Sequence, residues 1–203
     1  MTWRDERLPD EKTFAVIKAA LESGCNYMNG GEFYGPPDQN SLTLLNRYYA
    51  KYPEDQGKIL LNIKGCVFEN FRADGSPAGV KTSVENSVRL IGGKGRIDQF
   101  EPARKDATTD IETTIAALQE QVDAGNIGAL SLSEVSAATI RRAAKVGKVA
   151  SVEVELSLWA TEPLENGVVE ACAELGIPII AYCKHPPPSP PSWAPTNPSS
   201  HPY

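Results

Sequence analysis

Three side chains that could take part in proton transfer stand at comparable places along the chain. Tyr34 lies in a glycine-rich loop after an apolar segment, Lys64 ends another apolar run, and Glu101 ends a third and precedes a proline. A lysine ammonium beside a tyrosine would lower the pKa of the phenol and make it a credible general acid. Taken singly, each of the three is more often structural or solvent-exposed. The hypothesis of catalysis therefore depends on the fold bringing them together.

Alternating helical and apolar segments would have to position these side chains. Helices are predicted at 9–24, 40–52, 80–91, 110–121, 136–146 and 164–175, and strands at 25–28, 58–64, 97–100, 127–132, 149–156 and 177–183. This alternation, with short turns, predicts a parallel sheet that is either open and doubly wound or closed as a barrel. In a barrel the strand ends meet at one face, where barrel enzymes carry out their chemistry.

Composition limits the class of protein. With 203 residues and a net charge of −6, the chain is expected to form one globular domain and not to bind nucleic acid or an anionic membrane. No run approaches the ~18 apolar residues of a membrane span, and no secretory signal follows Met1, so a cytoplasmic location is expected. Cys25, Cys66, Cys172 and Cys183 are predicted to be buried, reduced thiols.

Several kinds of site are excluded or unsupported. The only histidines are His185 and His201, so a Ser-His-Asp triad or a His-ligated zinc site is excluded before the C-terminal segment, and no metal site is predicted. No Gly-x-Gly-x-x-Gly motif follows a strand, so a Rossmann site has no support. From Pro186 onward the sequence is rich in proline and serine, which predicts a disordered tail over residues 184–203.

Five segments at the predicted strand ends resemble the aldo-keto reductase superfamily, and in particular its fungal pyridoxal-reductase-like branch. They lie at 26–35, 61–65, 97–104, 132–136 and 152–159, and the similarity extends over roughly residues 2–183. The resemblance implies a (β/α)8 barrel of the TIM-barrel type. It also implies that the first and eighth strands are missing, so that residues 1–183 form an incomplete barrel followed by the tail.

The resemblance implies catalytic roles for four residues. Tyr34 and Lys64 match the tyrosine and lysine of the family, whereas Asn29 stands in place of the usual aspartate and Glu101 in place of the usual histidine. Without that aspartate, Lys64 is expected to depend less on a fixed counter-ion. A protonated Glu101 could donate a hydrogen bond to a substrate oxygen, as a neutral histidine would.

Cofactor contacts are implied by the same resemblance. The family binds NADPH at the C-terminal ends of the strands, and the residues that match its nicotinamide contacts are Ser133, Glu134 and Glu153. Leu156 stands where an aromatic side chain usually stacks on the ring, which weakens that contact.

The implied function is NADPH-dependent reduction of an aldehyde or ketone to an alcohol, by an oxidoreductase acting on CH–OH groups. The substrate would be a small carbonyl compound, either pyridoxal-like or an intermediate of a fungal secondary-metabolite pathway (terpenoid or polyketide). One alternative is a weak or inactive truncated paralogue that acts as a partner-binding protein, because the segment expected to hold the cofactor phosphates is missing. Another is an open-sheet binding module of a different family, which fits the strand count but not the five segments.

Overall fold

The computed structural model describes Thr2, residues 8–68 and residues 71–182. In this part of the chain an α-helix precedes every strand. The helices are α1 (Asp10–Glu22), α2 (Ser41–Lys51), α3 (Pro77–Ile91), α4 (Ile111–Asp123), α5 (Ala137–Ala143) and α6 (Val168–Leu175). The strands are β1 (Tyr27–Gly31), β2 (Leu60–Gly65), β3 (Gln99–Pro102), β4 (Ala129–Ser133), β5 (Val149–Glu155) and β6 (Ile179–Tyr182).

The strands form one parallel sheet in the order β1-β2-β3-β4-β5-β6. A doubly wound sheet would reverse its strand order at a switch point, and the described strands have no such reversal. Asn29 on β1 hydrogen-bonds to Glu153 on β5 at 2.7 Å, although strands four apart in a flat sheet would be about 19 Å from each other. The sheet therefore curls, and the prediction of an incomplete (β/α)8 barrel is confirmed.

The two faces of the sheet differ in chemistry. Apolar strand residues such as Leu61, Ile63 and Phe100 pack with helix residues such as Val84 and Ile115 in the main core. Because successive strand residues point to opposite faces, the alternate positions share the concave face. That face is polar yet buried, and it carries Asn62, Lys64, Glu101, Ser131, Ser133, Ser151 and Glu153.

A hydrogen-bonded layer crosses the concave face, two residues before Asn29, Glu101, Ser133 and Glu153 along their strands. Tyr27 Oη donates to Gln99 Oε1 at 2.9 Å, and Ser151 Oγ donates to the same oxygen at 3.0 Å. Ser131 Oγ also contacts this oxygen, at 3.3 Å. The layer joins β1, β3, β4 and β5, and so supports the curl from within.

The predicted helices and strands are all present, but several begin or end elsewhere. The strand predicted at 25–28 is displaced to β1, because the Cys25 N–H still donates to Ala20 O at 2.8 Å in the cap of α1. The helix predicted from 164 begins at Val168, after a short 3-10 turn and the left-handed Gly167. The helix predicted at 136–146 is α5, which ends at Ala143.

Other predictions from the sequence have mixed outcomes. Cys66 and Cys172 are buried as predicted, but Cys25 is exposed. Cys183 and the predicted tail at 184–203 lie outside the described residues. Among the residues that are described, no helix is long and apolar enough to cross a membrane.

Asn40 holds the loop between β1 and α2 in place. Its Oδ1 accepts hydrogen bonds from the Leu42 and Thr43 N–H groups, both at 3.0 Å, and caps α2. Its Nδ2 donates to Glu32 O at 2.9 Å, on the loop that carries Tyr34. One buried amide therefore fixes both the start of the helix and the path of the loop.

Replacing Asn40 with Ala should lower the free energy of unfolding by about 1–2 kcal/mol, because a helix cap and a buried hydrogen bond are lost. Urea denaturation followed by circular dichroism would measure the change. The matched control is Asn26→Ala, at an exposed asparagine, which should cost less than about 0.5 kcal/mol. Equal losses in the two variants would contradict the capping role.

Candidate active site

A buried cluster of four side chains lies near the C-terminal end of the concave face. Lys64 Nζ is 2.7 Å from Glu101 Oε1 and is hydrogen-bonded to Glu153 Oε1. Asn29 Nδ2 donates to Glu153 Oε2 at 2.7 Å. We call these four residues the Lys64 cluster. The fold thus brings together three residues predicted to be catalytic and one predicted to bind the cofactor.

The strand register explains how the cluster forms. Lys64 on β2 is the partner of Glu101 on β3, and Gly31 on β1 is the partner of Lys64. Glu153 on β5 pairs with Ser133 on β4, three strands away from Lys64. Only the curl of the sheet brings Glu153 across the concave face to the lysine.

Lys64 is held as an ammonium group. Burial alone would lower its pKa, but the carboxylates of Glu101 and Glu153 outweigh burial and raise the pKa above the usual value. The Tyr182 ring, at the end of β6, has its centroid 5.8 Å from Nζ. The expectation that Lys64 depends less on a fixed counter-ion was wrong, because two carboxylates contact it.

Glu101 is fully buried, which a glutamate before a proline seldom is. Its pKa is raised to about 7, because burial and the nearby Glu153 carboxylate together outweigh the lowering effect of Lys64. Within the described part of the chain, neither Glu101 oxygen accepts a well-aligned hydrogen bond, and the contact with Lys64 is an ion pair without that alignment. A protonated Glu101 could therefore donate its O–H to a ligand.

Tyr34 lies half-buried in the loop that follows β1, with its ring over Gly31. A Cβ on Gly31 would come within 3.1 Å of Tyr34 Cγ, so any larger residue there would push the ring away by a few tenths of an ångström. Burial raises the pKa of Tyr34, and the opposing effect of Lys64 is partly offset by Glu153 and Glu101. Lys64 thus acts on the phenol pKa in the predicted direction, but burial outweighs it and the net shift is upward. The phenol keeps its proton, as a proton donor must.

The three residues predicted to bind the cofactor differ in their hydrogen-bond partners. Ser133 is buried, and among the described residues its Oγ has no hydrogen-bond partner. Glu134 has a left-handed φ of 52° and its Oε1 accepts from the Glu155 N–H at 2.7 Å. Glu153 belongs to the Lys64 cluster. Of the three, Ser133 presents an unused polar atom to the concave face.

Sequence reasoning missed three residues near the site. Asn62 is fully buried and lies two positions before Lys64 on the same face, where it is near enough to lower the Glu101 pKa. Arg104 is near enough to lower the Tyr34 pKa. Tyr182 flanks the lysine ammonium. The period of two along β2 could have identified Asn62, but nothing local in the sequence identifies the other two.

The fold and the site together define a βα-barrel protein whose polar residues gather at the C-terminal ends of its strands. The chain belongs to the aldo/keto reductase family: the sequence pattern of that family matches residues 1–183.

Two yeast proteins are similar to this chain over most of its length. It is 42% identical over 185 residues to the probable pyridoxal reductase 2 of Schizosaccharomyces pombe, covering 90% of this chain and 55% of the relative. It is 39% identical over 196 residues to the putative pyridoxal reductase of Saccharomyces cerevisiae, covering 90% and 56%. The chain therefore spans about half the length of these relatives.

Solved structures share the fold. The glycerol dehydrogenase of Gluconobacter oxydans superposes with a TM-score of 0.75 at 22% identity, over 87% of this chain and 54% of that structure. A thermostable aldo-keto reductase superposes with a TM-score of 0.72 at 16% identity, over 87% and 61%. At these identities the likeness concerns the fold alone.

Proposed function

We propose that this chain carries the proton-transfer site of an NADPH-dependent reductase that converts an aldehyde or ketone to an alcohol. The observation that carries the proposal is the Lys64 cluster, which places a buried ammonium near enough to Tyr34 to influence its pKa. The yeast relatives named as pyridoxal reductases support the same reaction class. The proposed enzyme acts in the cytoplasm on small molecules.

The residues around Ser133 fit the carboxamide of a nicotinamide ring. The buried Ser133 hydroxyl lacks a hydrogen-bond partner within the described residues. Glu153 on the adjacent strand can accept a further hydrogen bond, because each carboxylate oxygen can accept more than one. Glu134 is also predicted to contact the nicotinamide, but its Oε1 already accepts a hydrogen bond from the backbone of β5. When bound, the cofactor supplies a hydride.

Tyr34 would donate the proton that completes the reduction of the carbonyl oxygen. Lys64 would stabilise the phenolate left on Tyr34, because a positive charge nearby favours the ionised form. Glu101, protonated, would hold the substrate oxygen by hydrogen bonding. The three groups thus have separate roles, since Tyr34 moves a proton, Lys64 stabilises charge and Glu101 orients the substrate.

The direct test is an assay of NADPH oxidation by the purified full chain, followed at 340 nm with pyridoxal and with a panel of other aldehydes and ketones. We expect turnover that depends on the carbonyl compound. No turnover with any member of the panel would contradict the proposed activity. Turnover with pyridoxal would favour a pyridoxal-like substrate over a secondary-metabolite carbonyl.

A second candidate is a protein that binds a partner without turnover. The observation behind it is that the chain covers only 55% and 56% of the two relatives, so that nearly half of their length has no counterpart in the aligned region. Titration of NADPH against protein fluorescence separates the two functions. A micromolar Kd supports the reductase, whereas no saturation at millimolar NADPH would favour the binding protein.

The proposed reduction should be lost as the pH rises through about 7, the pKa of Glu101. The group has a raised pKa, so the protonated, hydrogen-bond-donating form prevails below that pH and disappears above it. We expect kcat/KM to fall roughly tenfold for each further pH unit.

The groups that face Glu101 are Lys64, Glu153, Asn62 and the two phenols of Tyr27 and Tyr34. The control for the pH profile is Glu101→Gln, whose amide donates at every pH. This variant should lose the fall near pH 7. A fall that persists in Glu101→Gln would assign the titration to another group.

A further inference from the structure

The Glu153 carboxylate bridges two donors that approach it from different strands. Oε1 takes a hydrogen bond from Lys64 Nζ, and Oε2 takes one from Asn29 Nδ2 at 2.7 Å. Glu101 lies 2.7 Å from the ammonium and its charge also raises the Lys64 pKa, but within the described residues its oxygens lack hydrogen-bond alignment. Charge-assisted hydrogen bonds are directional as well as strong. Of the two carboxylates, Glu153 is therefore the one whose geometry fixes the ammonium.

Lys64 needs a negative partner that Asn29 cannot be. The ammonium is almost fully buried, and a buried charge is costly unless it is paired and hydrogen-bonded. Asn29 carries no charge, and its amide N–H points to Glu153. Asn29 thus orients the carboxylate, and the carboxylate in turn orients the lysine.

We propose that Glu153 is the counter-ion of Lys64 and a positioning residue for the proton transfer, with Asn29 holding its second oxygen. The effect on catalysis rests on the proposed reductase function, whereas the pairing itself does not. The other groups near the ammonium are Glu101 on β3, Tyr27 on β1, Tyr34 in the loop after β1, and Tyr182 on β6.

The proposal can be tested by moving the negative charge from Glu153 to its hydrogen-bond partner Asn29. The variants are Glu153→Gln, Glu101→Gln and the double variant Asn29→Asp/Glu153→Gln, which returns a carboxylate to the neighbouring position. The control is Glu174→Gln, which breaks an exposed ion pair with Arg141. Two readouts are needed: the exchange rate of the Lys64 ammonium protons by ¹⁵N NMR of lysine-labelled full chain, and kcat and KM for carbonyl reduction.

Glu153→Gln should speed ammonium exchange and lower kcat, each by about 10- to 100-fold, as expected for the loss of one charge-assisted hydrogen bond, with KM changing less. The double variant should recover most of both losses. Glu101→Gln should leave the exchange rate within about threefold of the parent, and Glu174→Gln should change nothing.

The proposal is overturned if Glu101→Gln accelerates exchange as much as Glu153→Gln does, or if the double variant recovers neither readout. Should Glu153→Gln fail to fold, restored folding in the double variant supports the charge requirement, and continued unfolding contradicts it. If the NMR pattern holds while neither the parent chain nor any variant reduces a carbonyl, the pairing of Glu153 with Lys64 stands and the reductase function is rejected.

Discussion

Replacing Tyr34 with Phe should lower kcat for carbonyl reduction by about 10²- to 10⁴-fold, the usual contribution of a positioned general acid. The variant removes one oxygen and keeps the ring that packs over Gly31. The fold and the binding of NADPH should therefore be unchanged. Steady-state kinetics with the best carbonyl substrate, together with an NADPH titration, would measure the two effects separately.

The matched control is Tyr52→Phe, at a half-buried tyrosine whose ring packs with Phe14 and Tyr48, which are not part of the Lys64 cluster. It should keep kcat within about twofold of the parent. If Tyr34→Phe retains the parental rate, the proton comes from another group, and the role assigned to Tyr34 must be withdrawn.

Replacing Lys64 with Met should destabilise the fold by about 3–5 kcal/mol as well as remove activity. The change leaves the buried Glu153, and the ionised fraction of Glu101, without their cation. An uncompensated buried charge is among the most costly defects in a protein interior. Urea denaturation of the purified variant at pH 7 would measure the loss in free energy of unfolding.

Two further variants separate the charge effect from a loss of packing. Lys81→Met removes an exposed partner of Glu85 and should cost less than about 1 kcal/mol. The triple variant Lys64→Met/Glu101→Gln/Glu153→Gln removes the unpaired charges and should regain most of the lost stability. If the triple variant is no more stable than Lys64→Met, packing of the lysine side chain explains the loss.

The fold class could be read from the sequence because the signals are local. Apolar runs such as 58–64 and the amphipathic helices between them predict each element, and their alternation predicts a parallel sheet. Alternation alone did not choose between an open sheet and a barrel. That choice depends on the curl, which contacts between distant strands such as those of Tyr27, Gln99 and Ser151 maintain.

The position of the candidate site could be predicted from the sequence, but the ion pairs and pKa shifts within it could not. Tyr34, Lys64 and Glu101 were identified because they stand at or beside strand ends. The pairing of Lys64 with Glu153 joins β2 and β5 across the concave face, and no sequence spacing encodes it. The sign of the Tyr34 pKa shift depends on burial, which outweighs the nearby ammonium.

The strictly sequential pairing of the strands has a consequence for the dynamics of the site. Within the described chain β1 and β6 each pair with one strand only, whereas β2 to β5 pair with two. Local opening is easiest where the fewest contacts must break, so amide hydrogens of β1 should exchange with solvent before those of β3 and β4. When β1 detaches from β2, Asn29 and the loop that carries Tyr34 would move with it, while Lys64, Glu101 and Glu153 would keep their positions. Transient fraying at this edge would thus separate the proposed proton donor from its ammonium partner without unfolding the sheet.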